Sequence, residues 1–105
     1  MLIRIVRMTF RPDAVDAFLR IFEQTAPAIR NFPGCLHLEL WQDRDTGNVL
    51  TSYSHWISKD ALECYRNSTL FQETWATVTP LFNARPVAHS HKILATIQKD
   101  TSRPA

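Results

Sequence analysis

Glycine is scarce in this chain: only Gly34 and Gly47 occur, and neither lies in a phosphate-loop motif. A glycine-rich cradle for a nucleotide or a flavin phosphate is therefore not written here. Cysteine is equally rare. Cys35 and Cys64 lack a Cys-x-x-Cys spacing, which leaves out a zinc ribbon and a dithiol redox pair and points to two reduced thiols. A Gly-x-Ser-x-Gly elbow is missing, and Ser54 and His55, as neighbours on a strand, point to opposite faces, so nucleophilic hydrolysis is set aside. No apolar run reaches membrane-spanning length. Arg4 and Arg7 interrupt the apolar N-terminal stretch, leaving no signal-peptide core. Charge of one sign is lacking too. Twelve Lys and Arg are scattered among ten Asp and Glu for a formal charge of +2, so neither nucleic acid nor a membrane is an expected partner. A cytoplasmic protein is the expectation.

What is present suits one small domain. With 105 residues and 45% apolar side chains the chain builds one core and has no room for a second. Residues 1–97 carry the structural pattern, and the polar tail, residues 98–105, has little to bury.

Residues 2–10, rich in Ile, Val, Met and Phe, predict a strand, and Pro12 opens the helix that follows. Val15, Phe18, Leu19, Phe22, Ala26 and Ile29 recur at spacings of three and four, the mark of one buried helical face. Pro27 predicts a kink or a loosened last turn. Pro33 and Gly34 end the helix. Residues 35–42 alternate leucines with Cys35, His37, Glu39 and Trp41, and residues 43–48 supply turn chemistry before a second run at 49–56, which together predict a hairpin. Ser58 caps a helix carrying Leu62 and Tyr65. Thr69 with Gln72 has capping-box spacing and opens a further helical segment with a stripe of Phe71, Trp75, Val78 and Phe82. Residues 87–97 predict the last strand.

The order β-α-β-β-α-β is that of a ferredoxin-like α+β fold with a four-stranded antiparallel sheet in the spatial order four, one, three, two. Ile3 and Ile5 oppose Leu2, Val6 and Met8 on the first strand. On the last, Ala88, Leu94 and Thr96 oppose Val87, Ile93, Ala95 and Ile97. Apolar residues on both faces predict a homodimer in which two sheets close into a dimeric α+β barrel.

On Pro33-Gly34-Cys35 at the second strand, Trp56-Ile57-Ser58-Lys59-Asp60-Ala61 at the strand-to-helix junction and Ser68-Thr69-Leu70-Phe71 beyond it, the chain resembles the antibiotic biosynthesis monooxygenase family over residues 1–97. The resemblance implies the fold above, usual dimerisation, and a membership that includes cofactor-independent oxygenases of aromatic polyketides, quinol oxidases and haem-degrading enzymes. The haem-degrading pattern asks for a histidine on the helical half and an asparagine on the first strand. Here all four histidines, His37, His55, His89 and His91, fall in predicted strands, and residues 2–10 hold no asparagine.

A cofactor-free oxygenase needs a pocket that binds an electron-rich aromatic and steadies its anion until oxygen reacts. Trp75, Phe71 and Trp56 are the candidate substrate-binding residues, and each is also a plausible core residue. Tyr65, Arg4 and His89 are the candidate catalytic residues. Arg4, on an apolar strand face, must pair, reach water or hold an anion; an ion pair with Glu39 at a dimer interface is the structural alternative. Arg85, before the last strand, stands either at a pocket mouth or on the surface. His89 or His91 suits a general base, or simple hydrogen bonding at the surface. A metal site joining His89 and His91 to His37 and Glu39 would have to cross between opposite sheet edges, so no metal is expected. The reading is a monooxygenase of a small aromatic or quinol-like molecule needing no cofactor. Its alternative is a non-catalytic ligand-binding or regulatory domain of the same fold.

Overall fold

The computed structural model describes residues 1–100, so the last five positions of the expected polar tail lie outside the described residues. Apolar alternation and β-branched content make four strands: β1 (Leu2–Thr9), β2 (Cys35–Gln42), β3 (Val49–Trp56) and β4 (Val87–His91). They pair antiparallel in the order β2-β3-β1-β4, as the ferredoxin-like topology requires. Three helices, α1 (Val15–Arg30), α2 (Lys59–Arg66) and α3 (Thr69–Val78), complete the fold, the second helical unit of the topology being split into α2 and α3.

The register assigns the two faces of the sheet. Arg4 stands opposite Ser54 on β3 and Ser90 on β4, and Val6 opposite Ser52 and Ala88. Leu2, Arg4, Val6 and Met8 therefore share the helix-covered face with Leu50, Ser52, Ser54 and Trp56. Its core forms around Met8, Phe10, Phe18, Leu50 and Val78, with Cys35, Trp56 and Leu62 in a second cluster. Phe10 is wholly buried and its ring stacks on Phe18 at 4.3 Å.

Four details differ from the sequence reading. The last strand stops at His91 instead of continuing to Ile97, because His91 already pairs with Ile3 and β1 begins only one residue earlier. The alternation at Ile93, Leu94 and Ile97 thus serves no strand, and these residues are 46%, 86% and 88% exposed. Ser68, not Thr69, caps α3: its hydroxyl accepts from the Phe71 N–H. Of the two effects expected of Pro27, the loosened last turn is not seen: the Pro27 carbonyl accepts from the Asn31 N–H at 3.0 Å. Leu19 faces outward from α1 and is 40% exposed.

Candidate functional site

A cavity of about 270 Å³ lies between the helices and the sheet. β1 supplies Arg4, Val6 and Met8 to its floor because alternate residues of a strand point the same way, and Ser52 and Ala88 join from the flanking strands. The helices close it through periodic side chains: Phe18, Phe22 and Thr25 of α1, Leu62, Tyr65 and Arg66 of α2, and Phe71, Thr74 and Trp75 of α3.

The junction between α2 and α3 fixes the two aromatic residues nearest it. The Ser68 hydroxyl donates to the Tyr65 carbonyl at 2.5 Å while accepting from the Phe71 N–H at 3.2 Å. One side chain thus satisfies an orphan acceptor of the first helix and an orphan donor of the second. The Gln72 amide adds a bond to the Arg66 carbonyl at 3.0 Å. Tyr65 and Phe71 then meet edge to face at 5.3 Å, and Trp75 stacks on Phe71 at 5.7 Å.

Of the six candidate residues, Arg4, Tyr65, Phe71 and Trp75 line this one cavity. Trp56 stands behind it. It is 1% exposed, donates from its indole N–H to Ser54 Oγ at 3.0 Å, and stacks against Tyr65 at 4.9 Å, so it supports the wall rather than forming it. His89 lies on the other side of the sheet, opposite Ile5 in the register and beside His91. That face also carries His37, Glu39, Trp41, Tyr53 and His55, so all four histidines share the surface away from the cavity. Among the described residues no three His, Cys, Asp or Glu side chains are grouped to hold a metal ion. Arg85 is exposed and does not line the cavity.

The Arg4–Glu39 ion pair is not formed within the chain, since the two residues occupy opposite faces of the sheet. Arg4 donates instead to Ser90 Oγ at 3.0 Å. Glu39 accepts from the Trp41 indole at 2.8 Å and pairs with His37, and these two hydrogen bonds hold its carboxyl below the usual carboxylate range.

Burial pushes the Tyr65 phenol up to about 12, with a smaller push from Cys35. At neutral pH this hydroxyl is a hydrogen-bond donor and not a base. Burial also lowers the Arg4 guanidinium, Arg66 acts in the same direction, and Glu63 opposes both. Arg4 remains a cation at neutral pH regardless. The sequence reading missed Arg66, although its spacing of four from Leu62, with Tyr65 at three, places it on the same helical face. Of the two thiols, Cys35 is buried, and burial pushes its pKa up and so disfavours the thiolate, while Cys64 is exposed.

Fold and cavity together define a ferredoxin-like α+β domain with an aromatic, cation-tipped pocket between helices and sheet. The chain belongs to the antibiotic biosynthesis monooxygenase family, whose sequence profile matches residues 1–77. Among solved structures it is similar to a candidate antibiotic biosynthesis monooxygenase from Caulobacter crescentus, at 21% identity and a TM-score of 0.84 over 90% of each chain. A further candidate of that description from Nitrosomonas europaea aligns at 15% identity and a TM-score of 0.84, over 90% of this chain and 100% of the other. One from Deinococcus radiodurans does so at 15% and 0.84, over 94% and 98%. No curated protein sequence matches the chain.

Proposed function

We propose that the protein is an oxygenase of a small aromatic or quinol-like metabolite that needs no metal, haem or flavin. The observation that carries this reading is the cavity itself: an apolar, aromatic wall meets Arg4 and Tyr65 at one site. Its volume of about 270 Å³ suits one small ring system and leaves no room for a flavin beside it. Family membership supports the reaction class.

In this reading the substrate stacks among Phe22, Phe71 and Trp75. Its hydroxyl loses a proton to solvent, made more acidic by the neighbouring guanidiniums. Arg4 holds the resulting anion, and Tyr65 donates a hydrogen bond to its oxygen or to a carbonyl. Molecular oxygen then takes the electrons from the anion. With an anthrone as substrate, one oxygen atom becomes the new ring carbonyl and the other leaves as water. His89 has no place in this sequence within one chain, since it lies on the far face of the sheet.

The same chain is proposed to act as a homodimer through that far face, where Ile3, Ile5 and Val87 lie among aromatic and histidine side chains. A cytoplasmic location fits the free thiols Cys35 and Cys64. Among the described residues no helix is long and apolar enough to cross a membrane.

Oxygen consumption by the purified protein with anthrones and hydroquinones tests the catalytic reading. Uptake that depends on protein and falls in the Tyr65→Phe variant supports it. A second reading, a non-catalytic ligand-binding or regulatory domain, draws on one feature: among the described residues no His, Asp, Glu or Lys lines the cavity to take a proton. Ligand binding without oxygen uptake across the panel selects that second reading.

A further inference from the structure

The cavity wall is apolar almost throughout, and among the described residues its ionisable side chains are Arg4, Tyr65 and Arg66. Tyr65 is neutral at physiological pH, so both charges lining the cavity are positive. Arg66 has a carboxylate partner, Glu63, at 3.4 Å on the exposed side of α2. Among the described residues Arg4 forms no such ion pair: its hydrogen bond goes to the uncharged hydroxyl of Ser90, and Glu63 attracts it without contact. A partly buried guanidinium with no carboxylate in contact keeps donors free for a ligand anion. Like charge from Arg66 adds to the attraction for an anion, and Glu63 offsets part of it.

We infer that the ligand of this cavity is an aromatic anion, a ring system bearing a carboxylate or an equally acidic group, with the negative group held by Arg4 and Arg66 and the ring stacked against Phe71 and Trp75. This deepens the proposed function and rests on the reading of the cavity as a ligand site. The planar fork of Arg4 matches a carboxylate in two parallel hydrogen bonds, and the surrounding apolar wall strengthens them by excluding water. Tyr65 adds a neutral donor to a second polar substituent. A neutral polycyclic ligand would bury the same ring area and leave Arg4 unanswered.

The test compares 2-naphthoate with its neutral counterpart 2-naphthamide by isothermal titration calorimetry on the full chain. The carboxylate is expected to bind about tenfold more tightly, the size of one charge-assisted hydrogen-bonding partner. Arg4→Gln should reduce that preference to near unity, Arg4→Lys should keep part of it, and Arg66→Gln, at the exposed end of α2, should weaken it without unfolding the domain. Added salt should lower naphthoate affinity and leave naphthamide unchanged. Equal affinities for the two probes, or a preference that survives both glutamine variants, overturns the inference and leaves the ligand site standing. Failure of both probes to bind overturns the ligand site as well. Oxygen uptake plays no part in this test, so a missing catalytic activity is a separate result.

Discussion

At the scale of single residues, Tyr65 joins the core to the cavity. Its ring is packed between Trp56, Phe32 and Phe71, and its pKa is pushed up to about 12 by that burial. The unfolded phenol ionises near its ordinary value of 10.0. Between these values the folded chain holds a proton that the unfolded chain has lost, so the contribution to stability is intact below pH 10 and drains away as pH rises toward 12. Phenylalanine cannot titrate. The Tyr65→Phe variant is therefore expected to lose less stability than the parent across this window, measured as urea midpoints against pH; parallel curves for the two proteins would contradict the assignment. Arg4 was legible as anomalous from its apolar strand, yet the helix side of the sheet and the Ser90 contact required the register. His89 was legible only as a histidine on a strand. The pairing of β4 with β1 decided which way it points, and a shift of one residue would have reversed it.

At the scale of elements, the turn before β2 is the most constrained junction. Gly34 has φ +88°, a Cβ there would meet the Ala61 Cβ at 2.5 Å and the Ile57 Cγ2 at 3.0 Å, and the Gly34 carbonyl accepts from the Ile57 N–H at 2.8 Å. Left-handed backbone and close approach both exclude a side chain. Gly34→Ala is expected to destabilise the domain by about 2–4 kcal/mol, read from a lower urea midpoint with an unchanged slope. The helix and strand periods were plain in the sequence, since they follow from side chains repeating at 3.6 and 2 residues. Ends were less plain: Ser68 took the cap one residue before the capping-box pattern at Thr69 and Gln72, because its hydroxyl also closes the preceding helix.

For the whole molecule, three helices on one side of the sheet leave Ile3 and Ile5 on the other. Ile5 lies between Tyr53 and His89 in the register, near the middle of that face. If two copies meet there, a carboxylate at this position is buried without a partner and association is lost. Size-exclusion chromatography with light scattering is expected to give a dimer for the parent at micromolar concentration and a monomer for Ile5→Glu. A monomeric parent would remove the dimer proposal. Beyond β4, Ile93, Leu94 and Ile97 are also exposed.

By itself the sequence determined the element order, the ferredoxin-like class and the aromatic stripe of Phe71 and Trp75, because hydrophobic period, caps and breakers act over a few neighbouring residues. Tertiary structure decided which face of the sheet each strand residue joins, where β4 ends, that Arg66 and not His89 accompanies Arg4 at the cavity, and that Trp56 stands behind Tyr65. These depend on register between strands distant in sequence. Cross-strand partners are set by the summed burial of whole faces, which no local pattern records.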